Sequence, residues 1–285
     1  MNLFEQLRAW IALVVLSVVS LAAATAEVVI EEQVVFESHG AELAGSIVFP
    51  EGNEVLAAVV FVHGSGKQPR SLELARLFAG EGVAALVYDK RGVGESGGEF
   101  EGKQPVSEKN LALLTADAVA AVIALSEHPR LQGVPLGLTG ISQAGWIVPP
   151  AALDLPQLDF LVLWSGPVCK VSEEDIFSKY TADLDATRAP SFDEALNARS
   201  RPYVWPAFLG EDTDPSESLS RLKIPGLWIF GAQDGSVPTD LSIRRLEQLM
   251  DQGNDYDYIL FSGLGHNNIG GSFTSVIDWI RSTVD

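Results

Sequence analysis

The amino-acid sequence predicts an α/β fold in which a mostly parallel central sheet is covered by helices on both faces. After Glu27, short β-rich runs alternate with longer runs of helical periodicity, the order that strand–helix–strand units produce. The runs Ala57–Val62 and Val83–Tyr88 are continuously apolar, as in strands buried on both faces. A hydrophobic fraction of 47% over 285 residues is sufficient for a large buried core.

The predicted elements follow one another in chain order. The strands are an opening hairpin of Val28–Glu37 and Leu43–Phe49, then Ala57–Val62, Val83–Tyr88, Val134–Thr139, Phe160–Trp164, Gly226–Phe230 and Tyr258–Phe261. The hairpin turns near His39 and Gly40, and the longest helix stops before Pro129, which cannot continue it. The helices are Ser71–Ala79, Ser107–Ser126, Gln143–Ala151, Ser242–Met250 and Ser272–Val284.

Residues 165–221 interrupt this alternation, because no strand pattern is visible there. Ser172-x-x-Asp175 and Ser191-x-x-Glu194 are both typical of helix amino termini. A structureless loop of this length would be unusual in a compact domain. The sequence therefore predicts a small helical cap inserted over the sheet.

The first 26 residues have the layout of a secretory signal peptide. Arg8 and the amino terminus precede an apolar run over residues 9–26, which closes with the small residues of Ala24–Ala26. We expect cleavage before Glu27, one folded domain over residues 27–285, and export to the periplasm or the medium. Two alternatives remain open: a buried helix, or an uncleaved membrane anchor, since about 18 apolar residues approach the length of a bilayer span.

Charge and cysteine content exclude several classes of function. Lys and Arg number 19 against 38 Asp and Glu, which gives a formal net charge of −19. Such a chain repels phosphate backbones and anionic membranes, so we expect no nucleic-acid binding and no stable membrane association after signal cleavage. Cys169 is the single cysteine and the four histidines lack ligand-like spacing, so we expect no internal disulfide and no metal site.

The segment Leu138–Gly145 places Ser142 where a predicted strand turns sharply into a helix. A serine on such a turn presents its hydroxyl above the sheet, and the crowded backbone requires small residues two positions before and after it. Gly140 and Ala144 meet this requirement, with alanine in place of the second glycine. Ser142 is therefore the candidate nucleophile, and a helix-capping serine is the alternative that this pattern alone leaves open.

A serine hydroxyl needs a base that removes its proton, and the base needs an acid that orients it. In this architecture the three follow in the order serine, acid, histidine. His266 is the only histidine after Ser142 and lies in the loop after the last predicted strand. Asp234 follows the preceding strand and is the expected acid. Asp240 is the second choice, but its position at the start of a helix favours a capping role.

The glycine-rich segment His63–Gly66 follows another predicted strand and is the expected oxyanion loop. Glycines allow a backbone N–H to approach an oxygen that becomes negative during the reaction. We expect the N–H groups of Ser65 and Gln143 to form the oxyanion hole, with Gly64 as the alternative to Ser65. The His63 side chain is expected to hold the loop in place.

Two glycine patterns suggest nucleotide binding and fail on their context. Gly92-x-Gly94-x-x-Gly97 matches the dinucleotide fingerprint, but the sequence after it is typical of a loop rather than of a helix. In Gly64-Ser65-Gly66-Lys67, Phe61 stands where a phosphate-binding loop needs glycine, and Gln68 replaces the magnesium-binding serine or threonine.

Five segments together resemble the α/β-hydrolase superfamily, over the chain from about Leu43 to the carboxyl terminus. They are HGSG at 63–66, YDKRGVGESGG at 88–98, GISQAG at 140–145, GAQDGSVP at 231–238 and GLGHN at 263–267. They resemble the branch that includes bacterial serine esterases, dienelactone-hydrolase-like proteins and serine aminopeptidase-like proteins. The resemblance implies an α/β-hydrolase fold, a Ser142–His266–Asp234 triad and no cofactor, with Asp89 and Arg91 in structural pairs rather than in catalysis.

The function expected from these residues is that of an exported serine hydrolase that cleaves a small-molecule carboxylic ester through an acyl-enzyme on Ser142. A peptidase or amidase, or a thioesterase, of the same fold is the alternative among enzymes. A hydrolase-fold binding protein without activity is the alternative outside enzymes, although such relatives typically lack the serine or the histidine. The short insertion and the acidic charge favour small, neutral, short-acyl esters over long lipids and coenzyme A thioesters.

Overall fold

The computed structural model describes residues 30–52 and 54–284, which form an eight-stranded sheet with helices on both faces. The expected signal peptide, residues 1–26, lies outside the described residues. The strands are β1 (Ile30–Ser38), β2 (Ala41–Phe49), β3 (Ala57–Val62), β4 (Val83–Tyr88), β5 (Leu136–Ile141), β6 (Phe160–Trp164), β7 (Gly226–Gly231) and β8 (Tyr256–Phe261). Their order in the sheet is β1-β2-β4-β3-β5-β6-β7-β8, antiparallel at β1–β2 and β2–β4 and parallel elsewhere.

The helices are α1 (Leu72–Gly80), α2 (Glu108–Ser126), α3 (Val148–Leu153), α4 (Val171–Thr181), α5 (Phe192–Asn197), α6 (Pro215–Arg221), α7 (Thr239–Asp251) and α8 (Ile269–Val284). α1 and α8 pack on one face of the sheet, and α2, α3, α6 and α7 contribute to the core on the other. Alternate residues of β3 enter the two cores, which explains why its run is apolar throughout. The predicted fold class is confirmed.

The helix expected over Gln143–Ala151 is divided in the structure. A 3₁₀ turn covers Ser142–Trp146, and α3 begins only at Val148. Pro149 and Pro150 account for the difference, because proline is tolerated in the first helical turn but disrupts a helix interior. The α-helix must therefore begin immediately before the two prolines.

α4, α5 and α6, together with a 3₁₀ turn at Ala207–Leu209, fill the chain between β6 and β7. Ser191 caps α5 through the reciprocal hydrogen bonds that its Ser-x-x-Glu pattern predicts. The Ser172-x-x-Asp175 pattern predicts a start of α4 that is two residues too late. In the structure Lys170 precedes the first turn, and its N–H donates to Glu173. α4 and α5 pack with Leu241 of α7 around a small separate core, which includes Phe177, Phe192 and Ala195.

The chain order reverses between β3 and β5, which are neighbours at the centre of the sheet. The loops after parallel strands lie at the same edge, and ligands of open α/β sheets bind in the crevice at such a reversal. The loops after β3, β5, β7 and β8 carry the expected oxyanion loop, nucleophile, acid and histidine. Among the described helices, α2 alone is as long and apolar as a membrane-spanning helix, and it packs on the sheet.

Candidate active site

Ser142 lies at the end of β5 in a strained backbone conformation, with φ of +56°. A Cβ atom on Gly140 would lie 2.5 Å from the Cβ of Ala144 and 2.8 Å from the carbonyl oxygen of Val62. Glycine at position 140 is what makes room for alanine at position 144. The sharp turn that the sequence predicts is therefore present. Alanine at position 144, in place of the usual second glycine, fits in this turn.

The structure brings Ser142, His266 and Asp234 together in a hydrogen-bonded chain. The Nε2 atom of His266 is 3.0 Å from Ser142 Oγ, and its Nδ1 atom is 2.9 Å and 3.1 Å from the two carboxylate oxygens of Asp234. Asp234 is fully buried, and its Oδ1 also accepts the N–H groups of Ser236 at 2.8 Å and Val237 at 2.9 Å. These bonds hold the carboxylate against the imidazole.

The charge environment of His266 favours its protonated form. Burial lowers the pKa of His266, but the hydrogen bond and charge of Asp234, with the charges of Asp185 and Asp183, outweigh that effect and raise the pKa above its ordinary value. A base with a raised pKa accepts a proton from serine more readily. It is also protonated, and therefore inactive as a base, up to a higher pH.

Two residues beneath the histidine loop fix its backbone. Ser165, at the end of β6, has φ of +44° and donates its hydroxyl to the carbonyl of His266 at 2.9 Å. Asn268 donates its amide to Ser165 Oγ at 3.0 Å. The histidine is thus held through its carbonyl as well as through its ring.

Asp185 holds the acid and histidine loops together from the inserted segment. Its Oδ1 accepts the N–H of Gly235 at 3.0 Å, and both of its carboxylate oxygens accept the N–H of His266, at 3.2 Å and 3.1 Å. The neighbouring Ala186 N–H donates to the carbonyl of Gln233 at 3.0 Å. Reasoning from sequence missed Asp185, since no local pattern indicates a contact between residues 81 positions apart.

Asp240, the second candidate for the acid, lies in the first turn of α7, where Pro238 rather than Asp240 is the capping residue. Its carboxylate accepts the N–H of Phe192 at 3.0 Å and pairs with Arg244 at 2.8 Å. Asp240 therefore connects the first turn of α7 to the start of α5 and pairs with Arg244 within α7. The acid next to His266 is Asp234.

The expected oxyanion loop approaches Ser142 at Gly64. Gly64 is so close that a Cβ atom on it would lie 3.4 Å from the Cβ of Ser142. Among the described residues, none provides a hydrogen-bond acceptor for the N–H of Ser65. Gly66 has φ of +83°, a conformation that favours glycine. Gln143 is buried, and its side-chain amide donates to the carbonyl of Pro105 at 2.9 Å.

His63 has the structural environment that the sequence predicts. Its ring is buried and packs edge-on against Tyr88, with centroids 4.7 Å apart. Burial, followed by the charge of Lys90, lowers the pKa of His63 to about 3, so the ring is neutral at physiological pH.

Asp89 and Arg91 each have structural partners. Asp89 accepts the N–H groups of Arg70 at 2.8 Å and Glu95 at 2.9 Å, which fixes the loop after β4. Arg91 forms a buried ion pair with Asp117 of α2. They are therefore structural residues, as expected, but they pair with other residues rather than with each other.

Lys90 lies between these two residues and was not singled out from the sequence. It is 4% exposed, and burial lowers its pKa to about 8. Its Nζ atom donates to the carbonyl of Gly64 and to the Oε1 atom of Gln143, both at 2.8 Å. The lysine therefore contacts both parts of the expected oxyanion hole.

An open cleft of about 370 Å³ borders the expected oxyanion loop and the histidine loop. Gly64 and Asn267 lie at its edge. Its apolar walls are formed by Phe61, Leu74, Leu77, Val87, Ile141 and Ile269. Residues 30–52 and 54–284 contain no group of three or more His, Cys, Asp or Glu side chains arranged to hold a metal ion.

The sheet topology and the arrangement of serine, histidine and aspartate define an α/β hydrolase. Residues 53–201 match the family described as serine aminopeptidase, S33, and the chain belongs to this family. The matched residues include the oxyanion loop and the nucleophile turn, whereas Asp234 and His266 lie beyond them. The resemblance read from the sequence motifs is confirmed at the level of the superfamily.

Two kinds of similarity connect the chain to particular proteins. It is 32% identical over 103 residues to the polyketide transferase claH of Penicillium crustosum, a match that covers 36% of this chain. The chain spans 32% of the length of that curated relative. The esterase Pf2001 of Pyrococcus furiosus is similar in structure, with a TM-score of 0.63 and 18% identity over 90% of each chain.

The acylaminoacyl peptidase of Pyrococcus horikoshii is also similar in structure, with a TM-score of 0.62 and 20% identity. The similarity covers 85% of this chain and 38% of that protein. At these identities the two structural similarities show a shared fold.

Proposed function

We propose that the protein is an exported serine hydrolase that cleaves carboxylic esters through an acyl-enzyme on Ser142. One observation carries the proposal: Ser142 Oγ, the imidazole of His266 and the buried carboxylate of Asp234 form one hydrogen-bonded chain at the carboxyl edge of the sheet. The nucleophile, its base and the orienting acid are thereby within reach of one another.

In the proposed first half-reaction, Ser142 Oγ attacks the ester carbonyl carbon while His266 Nε2 accepts the hydroxyl proton. Asp234 fixes the Nδ1–H tautomer of His266 and stabilises the imidazolium. The carbonyl oxygen, now negative, accepts hydrogen bonds from the N–H groups of Ser65 and Gln143. The bond to the alcohol oxygen then breaks, and His266 returns the proton to the leaving alkoxide.

In the second half-reaction, water takes the place of the alcohol. His266 removes a proton from the water, whose oxygen attacks the acyl carbon on Ser142. The same N–H groups stabilise the second tetrahedral intermediate. The bond to Ser142 Oγ breaks, the serine regains its proton from His266, and the carboxylic acid leaves.

The proposed substrate is a small, neutral ester with a short acyl chain. The inserted segment contains three helices of 11, 6 and 7 residues, which can cover only a limited volume above the sheet. Each buried CH₂ group contributes about 0.8 kcal/mol only while protein encloses it. The net charge of −19 opposes the approach of polyanions such as coenzyme A thioesters.

Export is part of the proposal, and it rests on the apolar run and small residues before Glu27. The first strand, β1, begins at Ile30, after the proposed cleavage point. Cleavage there would leave every described element in place, and an uncleaved membrane anchor remains the alternative.

A peptidase of the same fold is the second candidate. The name of the matched family and the similarity to an acylaminoacyl peptidase both support it.

The experiment compares purified wild-type protein with Ser142→Ala on a nitrophenyl ester, an anilide and a thioester of the same acyl group. We expect ester hydrolysis by the wild type that exceeds anilide hydrolysis and is lost in the variant. Faster anilide cleavage would support the peptidase, and a faster matched thioester would support a thioesterase. No turnover of any of the three would support a binding protein without activity.

A further inference from the structure

Lys90 is a buried cation that has no acidic partner in the described part of the chain. No carboxylate among the described residues lies within ion-pair distance of its Nζ atom. The adjacent acid, Asp89, is already engaged by the N–H groups of Arg70 and Glu95. A buried ammonium group loses hydration, and this cost must be offset by its hydrogen bonds or by a negative charge that arises near it.

The hydrogen bond from Lys90 to Gly64 acts on the peptide unit that contains the N–H of Ser65. A trans peptide is planar, so its carbonyl oxygen and its N–H point in opposite directions. An ammonium group on the oxygen therefore fixes the direction of the N–H on the other side. It also draws electron density through the amide, which makes that N–H a stronger donor.

A second contact joins Lys90 to the other half of the proposed oxyanion hole. Gln143 follows the nucleophile, and its side-chain amide is held at both ends, by Lys90 at Oε1 and by the carbonyl of Pro105 at Nε2. The backbone N–H of Lys90 also donates to the carbonyl of Gln68 at 3.0 Å, two residues beyond the oxyanion loop. One residue thus connects the loop after β3 to the turn after β5.

We propose that Lys90 is a positioning residue of the oxyanion hole, which orients and polarises the Gly64–Ser65 peptide and holds Gln143 beside the nucleophile. This inference rests on the proposed function, because an oxyanion forms only if Ser142 attacks a carbonyl or an equivalent centre. Lys90 itself does not contact the substrate. It acts through the two N–H donors and through its positive charge, which remains buried close to the developing negative charge.

The test is Lys90→Met, which keeps the length of the side chain and removes its charge and donors. Loss of a direct oxyanion donor lowers kcat by about 100- to 1,000-fold. Because Lys90 acts through the donors, we expect a fall in kcat of about 10- to 100-fold with KM within about 3-fold of the wild type. The rate of phosphonylation by a fluorophosphonate should fall in parallel, since that reaction also develops a negative oxygen.

Lys67→Met is the matched control. Lys67 is an exposed lysine that follows the oxyanion loop His63–Gly66, with its ammonium 5.7 Å from the centroid of the Phe100 ring. If a general loss of positive charge near the site were responsible, both variants would lose activity. We expect Lys67→Met to keep kcat within about 2-fold of the wild type, because an exposed charge is screened by solvent.

Gln143→Met provides a second route, should Lys90→Met fail to fold. It removes the side-chain amide that Lys90 holds and keeps the backbone N–H of residue 143. We expect a lower kcat, and in the double variant a loss smaller than the product of the two single losses. A folded Lys90→Met with wild-type kcat, or a Gln143→Met with wild-type kcat, would overturn the inference. Failure of the proposed function is a separate outcome, since wild-type protein would then hydrolyse no ester.

Discussion

Asp185 provides a test of how the inserted segment controls the catalytic loops. Its carboxylate accepts the N–H of Gly235, beside the proposed acid Asp234, and the N–H of His266. Asp185→Asn retains one oxygen acceptor and presents an NH₂ donor where the second oxygen was. The remaining oxygen can still accept the N–H of Gly235, but one of the two contacts to the N–H of His266 is lost and a donor group faces that N–H in its place.

The expected magnitude follows from the bonds that are lost. A hydrogen bond to a charged group contributes about 1.5–3 kcal/mol when it is protected from water. Asp185 is exposed, so we expect only about 1–2 kcal/mol to be lost from the alignment of His266 with Ser142. At about 1.4 kcal/mol per tenfold change in rate, kcat at high pH should fall by about 5- to 30-fold.

Asp183→Asn is the matched control for charge. Asp183 lies in the same segment, and its negative charge, like that of Asp185, raises the pKa of His266. Its carboxylate makes no hydrogen bond to the catalytic loops among the described residues. Asparagine also tolerates its left-handed backbone, φ of +56°. Both variants should lower the kinetic pKa, and only Asp185→Asn should lower the plateau of kcat.

The assay is the pH dependence of kcat for a nitrophenyl ester, measured with all three proteins. Circular dichroism and thermal unfolding verify that each variant is folded. A plateau for Asp185→Asn within about 2-fold of that for Asp183→Asn would refute a role of Asp185 in holding the two loops.

Three further predictions concern pH, substrate and location. Wild-type kcat should rise with pH through an apparent pKa above 6.5, because only neutral His266 acts as a base. A rate that is independent of pH from about 5 to 8, with chemistry rate-limiting, would contradict the role of His266 as the base. Across nitrophenyl esters from acetate to palmitate, kcat/KM should stop rising within about eight acyl carbons, and acetyl- and palmitoyl-coenzyme A should be poorer than matched esters. Mass spectrometry of the exported protein should give a mature chain beginning at about Glu27, and an intact amino terminus in the cytoplasmic fraction would refute export.

The central strands of the sheet could be predicted from sequence because they are buried on both faces. Such strands form continuous apolar runs, and the predicted bounds of Ala57–Val62, Val83–Tyr88 and Phe160–Trp164 coincide with β3, β4 and β6. The order of Ser142, Asp234 and His266 could also be predicted, because each follows a strand and parallel strands end at one edge. Local pattern and topology agree at these positions.

The residues that sequence reasoning missed act through distant contacts. Lys90 binds residues 26 and 53 positions away, and Asp185 binds residues 50 and 81 positions away. Neither residue is marked by a distinctive local pattern. Lys90 lies between Asp89 and Arg91, whose roles are structural. The division of the helix after Ser142 does have a local cause in the sequence, because Pro149 and Pro150 are tolerated only in the first turn of α3.

The most direct test of the account is the site of covalent labelling by a fluorophosphonate. Ser142 is the only serine that the proposed triad activates. We therefore expect one adduct per protein molecule. Peptide mass spectrometry should locate it on Ser142, with no adduct on Ser142→Ala and strongly slowed labelling of His266→Ala. An adduct on another residue, or undiminished labelling and ester hydrolysis by Ser142→Ala, would contradict the assignment of Ser142 as the nucleophile.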